Sequence, residues 1–142
     1  MLKKIILIVV IVAVGGFLLF QLVPFGRDHA NPPVVQEPKW DSPATRELAK
    51  RACFDCHSNE TVWPWYSNIA PISWLVANDT YEGRDNLNFS DWVPGDVELD
   101  EVAEVINGGA MPPAQYTMIH AGARLTDAER QQLLQGLQNS LQ

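Results

Sequence analysis

From Ile5 to Phe20 the chain carries no charged or polar side chain, and past Gln21 the apolar run continues to Phe25. As a helix, about 21 such residues extend about 31 Å, enough to cross the hydrocarbon core of a bilayer. Gly15 and Gly16 would weaken a soluble helix but are ordinary in a membrane-spanning one. Lys3 and Lys4 precede the run, so the positive-inside rule puts the N-terminus in the cytoplasm and everything after Phe25 on the other side. A cleaved signal sequence has a shorter apolar core followed by small residues at the cut. Here the core is longer, and Leu22-Val23-Pro24-Phe25-Gly26-Arg27-Asp28 follows it. The reading is a single-pass anchor (1–25) in the cytoplasmic (inner) membrane, with the rest of the chain periplasmic or otherwise extracytoplasmic. No cysteine lies early enough for lipid attachment.

Pro24, Pro32, Pro33, Pro38 and Pro43 then fall among polar residues without apolar periodicity, so 26–41 reads as an extended proline-rich linker, with packing on the domain near Trp40 as the alternative. The remainder, 42–142, is one small domain's worth of chain. So small a domain encloses a modest core, to which a large apolar cofactor would add substantially. Beyond the anchor, eight Lys and Arg face seventeen Asp and Glu. Nucleic acid, which needs a basic footprint, is therefore not an expected partner, whereas a protein with a basic docking surface is.

The two cysteines stand three apart in Cys53-Phe54-Asp55-Cys56-His57, too close to close a useful disulfide loop. The pattern is C-x-x-C-H, that of covalent haem attachment. Two thiols on one turn can each add to a haem vinyl group as thioethers, and the next imidazole can take the iron as proximal ligand. A thioredoxin-like pair would need a strand leading into it. Instead Ser42 reads as the N-cap and Pro43 as the first position of a helix running to Lys50. A zinc site would need further ligands, and His29 and His120 lack ligand-like spacing.

An electron carrier with six-coordinate iron needs a second axial ligand. Val97 to Ile106 reads as a helix ended by Asn107-Gly108, after which Gly109-Ala110-Met111-Pro112-Pro113 forms a loop stiffened by its prolines. Met111 is the candidate, because methionine opposite histidine raises haem potential. Met118 and His120 are its rivals, and a lone methionine is more often core filler. Asp96, Glu98, Asp100, Glu101 and Glu104 make the stretch before Met111 acidic, either as a docking face or as solvated surface.

Thr126-Asp127-Ala128-Glu129 is a capping box opening a terminal helix with Leu133, Leu134, Leu137 and Leu141 at helical spacing. That stripe is expected to pack on the first domain helix at Leu48 and Ala52. Pro71 to Gly83 reads as another helix, with Ile72, Leu75 and Val76 inward. Trp63, Trp65, Trp74, Trp92 and Tyr66 are expected to lie mostly in the core. An indole N–H, Arg84 or Asn68 is a candidate for a haem propionate.

The order of helix, C-x-x-C-H, loop methionine before proline and capped terminal helix resembles class I cytochromes c. A narrower resemblance, over about residues 40–140, is to the family of haem-binding domain proteins. It rests on Cys53 through Thr61, Trp63-Pro64-Trp65-Tyr66-Ser67, Ile69-Ala70-Pro71, Asn86 through Trp92, Met111-Pro112-Pro113, Tyr116 and His120. The resemblance implies covalent attachment at Cys53 and Cys56, His57 as proximal ligand and Met111 as distal ligand, but no defined reaction or partner.

The expectation is thus an all-α, cytochrome c-like domain around one covalent haem c, preceded by one transmembrane helix. It would pass single electrons between exported redox proteins and would be no enzyme in the usual sense. The alternatives are a haem enzyme or gas or redox sensor with an open or displaceable distal position, and a haem subunit fixed in a larger membrane redox complex.

Overall fold

The computed structural model describes residues 1–95 and 97–141. Asp96, the first of the acidic run, lies outside the described residues. All regular elements among those described are helical: α1 (Leu2–Phe20), α2 (Pro43–Ala52), α3 (Phe54–His57), α4 (Ile72–Asn86), α5 (Leu99–Asn107), α6 (Ala114–Ile119) and α7 (Asp127–Ser140). Short 3₁₀ turns occupy Trp65–Asn68 and Ala121–Ala123. The chain forms two compact units, one of residues 1–30 with 63–79 and one of 31–62 with 80–142, so that α4 begins in the first and ends in the second.

In the first unit none of the α1 residues is buried, and α1 is long and apolar enough to cross a membrane. Its last turn is bound to the segment before α4. The Gln21 amide donates to the Ala70 carbonyl at 2.7 Å and accepts from the Ala70 N–H at 3.1 Å. Phe20 meets Trp74 edge to face at 5.7 Å. Arg27 reaches back to the Gln21 carbonyl and side-chain oxygens at 2.9 and 2.8 Å. Gly26 turns the chain with φ +74 directly against the Ser73 carbonyl, where a Cβ has no room. His29 then stacks on Trp63 at 4.7 Å and bonds Ser67.

In the second unit, α2 begins at the Ser42 cap, whose hydroxyl accepts from the Thr45 N–H at 3.2 Å, with Pro43 in the first position. The Thr126–Glu129 capping box opens α7. Leu48 and Ala49 of α2 join Leu133, Leu134, Leu137 and Leu141 of the C-terminal segment in one core with Phe54, Phe89, Trp92 and Ile106. The pairing of α2 with α7 follows the leucine stripe, but Gly136 sets its closeness: a Cβ there would run into the Thr45 side chain.

Three expectations change. The proline-rich segment is not a free spacer, since from Asn31 onward it belongs to the second unit. Val35 and Gln36 donate to the Ser90 carbonyl, Trp92 donates to the Gln36 carbonyl at 3.0 Å, and Trp40 lies 5.3 Å from Phe89. Arg46 clamps Glu37 with two bonds of 2.6 and 2.7 Å. A Trp side chain brings more apolar area than any other residue here, and burying one outweighs the proline stiffness that favoured an extended tether.

Secondly, α4 buries Ser73, Ala77, Thr80 and Gly83, whereas Ile72 and Leu75 are exposed. Its neighbours press their backbones against it, and only small side chains fit between. Thirdly, the aromatic residues between Trp63 and Trp92 named from the sequence are not mostly core. Trp92 is core, Trp63 pairs with His29, Trp74 with Phe20, and Trp65 is exposed.

Candidate functional site

The joint between α2 and α3 carries the paired cysteines. Cys53 closes α2 by donating its N–H to the Ala49 carbonyl at 2.8 Å, and its own carbonyl receives the N–H groups of Cys56 and His57 at 3.1 and 2.8 Å. Cys53, Cys56 and His57 therefore lie on a single helical turn, all half-buried, and the two thiols form no disulfide. Burial and the neighbouring Cys56 push the Cys53 thiol up to about 12. A redox-active dithiol needs the opposite shift, toward thiolate at neutral pH.

The Nδ1 of His57 lies 3.0 Å from the Leu87 carbonyl oxygen. A carbonyl can only accept, so Nδ1 carries the proton and Nε2 keeps its lone pair for a metal. Burial holds the imidazole below its usual pKa, against hydrogen bonds to the Leu87 and Gly83 carbonyls that favour the cation. The neutral ring is the ligand form. The Phe89 N–H also donates to the His57 carbonyl at 2.8 Å, so the stretch after α4 grips this residue twice. Behind the turn, Gly83 lets α4 approach Cys56: a Cβ there would stand 2.5 Å from the Cys56 carbonyl oxygen. Sequence reasoning missed both Gly83 and Leu87. Gly83 stood at the end of the predicted helix, where glycine is an ordinary stop, whereas the helix runs on to Asn86 and places it inside.

Met111 sits in the bend after α5, with its N–H and that of Ala110 both donating to the Val105 carbonyl at 3.0 and 2.9 Å. Its side chain is 38% exposed, so it is not core filler. Met118 is 75% exposed. His120 stacks on Tyr116 at 4.2 Å, and the Tyr116 hydroxyl donates to the Asp55 carboxylate at 2.6 Å. Those groups line a cavity of about 260 Å³ with Lys50, Arg51, Phe54 and Glu60. His120 is thereby tied to the middle residues of the motif.

Two of the propionate candidates have other work. The Arg84 guanidinium donates to the Ser58 carbonyl, Asn31 Oδ1 and Thr61 Oγ1, and so stitches the 31–62 segment together. Asn68 donates to the Trp65 carbonyl. The acidic side chains Glu98, Asp100, Glu101 and Glu104 are all exposed on and before α5.

The donor set fits a haem. Two thiols and one imidazole with a committed tautomer share a turn. Cys53, Leu87, Val97, Leu99, Val102 and Ala103 form a half-buried apolar margin of the core, the kind of surface a flat apolar macrocycle covers. Neither the curated proteins nor the solved structures contain a match to this chain. A family model described as "Haem-binding domain" matches residues 15–139, a span that takes in the last six residues of α1 and most of both compact units. With that match and the ligand-ready turn at Cys53–His57 together, the chain belongs to the haem-binding domain family.

Proposed function

We propose that this protein is a membrane-anchored c-type cytochrome that carries single electrons between extracytoplasmic redox partners. One observation carries the reading: both thiols of the motif share a turn with His57, whose Nδ1–H is spent on Leu87 and whose Nε2 remains to bind iron. Haem, when bound, supplies the one-electron iron couple. The chain's own part is to hold the group by thioethers at Cys53 and Cys56, to present a neutral imidazole in a fixed orientation, and to exclude water with the apolar margin of the core. Met111, exposed on a loop anchored to Val105, would hold the iron together with His57 in this proposal. The stacking of His120 on Tyr116 supports that choice over its rival.

Retention of α1 as an anchor is supported by the first compact unit. A signal peptidase would have to cut among Leu22 to Asp28, a stretch flanked and held by Gln21, Gly26 and His29, which are bonded to or packed on residues 63–77. Lys3 and Lys4 support an inside-to-outside orientation that puts the haem domain on the periplasmic side. The exposed acids of α5 suit a basic partner.

The experiment is a denaturing gel stained for haem, run on membranes carrying the wild-type chain and the Cys53→Ser, Cys56→Ser double variant. Covalent attachment predicts a stained wild-type band at the mass of the uncleaved chain and none for the variant. Full staining of the variant, or a wild-type band without stain, refutes the c-type assignment. The carrier role is checked by stopped-flow oxidation with a basic redox protein across a salt series. The on-rate falls as salt rises, and Glu98→Gln, Glu101→Gln, Glu104→Gln together flatten that slope.

A further inference from the structure

The first unit exposes apolar side chains for which the electron-carrier reading has no use. Trp65 is 76% exposed, Leu75 52% and Ile72 46%, while Leu22, Val23 and Phe25 continue the exposed apolar surface from the end of α1. Ile72 and Leu75 stand one helical turn apart and so share a face of α4. We infer that Trp65 and the first turn of α4 are seated in the interfacial zone of the same phospholipid bilayer that α1 crosses. The inference rests on α1 being a retained anchor.

Three observations lead to the bilayer rather than to another occupant. The first is length. At 19 residues α1 spans about 28 Å, close to the thickness of the hydrocarbon core, so its C-terminal end lies at a membrane boundary. The second is attachment: Gln21, the residue that ends α1, brackets both the N–H and the carbonyl of Ala70, and Phe20 packs on Trp74. Residues 70–75 are thus fixed at the level where the apolar run meets polar chain. The third is a change of polarity along α4. Exposed positions in its first turn and just before it are Pro71, Ile72 and Leu75, and the next exposed position is Asn78. Apolar side chains end one turn into the helix, as they should where it leaves the headgroup region. Trp65, with an apolar ring and a polar N–H, is the residue type enriched at that boundary. Arg27, bonded to Gln21, puts a cation at the same level, where it suits anionic headgroups.

The test places the photoreactive residue p-benzoylphenylalanine singly at Val12, Trp65, Leu75 or Asn78 of the full-length protein, in nanodiscs of phosphatidylcholine and phosphatidylglycerol. After irradiation, intact mass reads lipid adducts. Expected are adducts from positions 12, 65 and 75 and none from 78. Adducts from 12 with none from 65 and 75 overturn the seating and leave the anchor standing. No adduct from 12 removes the anchor itself and the seating with it. Chain-to-chain crosslinks from 65 and 75 in place of lipid adducts also overturn the inference, making this face an interface between copies.

Discussion

The imidazole Nδ1 of His57 donates to the main-chain carbonyl of Leu87, 30 residues away, at 3.0 Å. Leu87 is the first residue after α4, so the placement of α4 decides where that carbonyl lies and hence which way the ring faces. The placement depends in turn on Gly83, which allows α4 to rest on the carbonyl of Cys56.

Gly83→Val is therefore expected to act on the site as well as on stability. The clash is with backbone, which cannot swing aside, and overpacking of this kind costs about 1–3 kcal/mol. At about 4–8 °C per kcal/mol for a domain of this size, the melting temperature falls visibly. Gly83→Ala shifts it in the same direction by less. Haem absorbance per unit protein, measured beside the melt, falls with both variants.

Trp40→Ala tests whether the proline-rich segment is part of the fold. Trp40 is half-buried against Phe54 and Phe89, and its indole N–H donates to Glu37 at 2.6 Å. Truncation is expected to cost about 2–4 kcal/mol, somewhat less than for a fully enclosed aromatic. A melting temperature equal to wild type would return the segment to the status of a spacer.

Glu129 gives an acid-side signature. Its carboxylate accepts from the Thr126 N–H and from Arg51, in that order of importance, and these bonds lower its pKa to about 2. A carboxyl group depressed in the folded state adds stability that is complete above its unfolded value, an ordinary 4.5, and is lost as pH falls through 2. Glu129→Gln should thus melt lower than wild type at pH 7. The gap should close between about pH 4.5 and 2, as thermal melts across that range would register.

Met111→Ala and His120→Ala separate two of the three candidates for the second iron ligand. If Met111 is the ligand, its variant binds carbon monoxide or cyanide readily and has a lower reduction potential, because a thioether favours reduced iron. His120→Ala then leaves both properties as in wild type and only loosens Tyr116. The reverse pattern in a ligand-binding titration moves the assignment to His120.

Short-range rules were enough to read much of this protein from its residues. The length of the apolar run, the Ser42–Pro43 and Thr126–Glu129 helix starts, and the three donors at Cys53, Cys56 and His57 all depend on neighbours within one or two helical turns. The leucine stripe of α7 likewise found its partner on α2, because one amphipathic face must cover another. Tertiary structure alone decided which carbonyl fixes the His57 tautomer, that Trp40 packs against Phe54 and Phe89, and that α4 turns Ser73, Ala77, Thr80 and Gly83 inward instead of Ile72 and Leu75. Periodicity reports where apolar side chains recur, and it assumes that water is what they avoid. Where a second backbone comes within contact distance, as Gly26 and Cys56 do here, room for atoms selects the inward face.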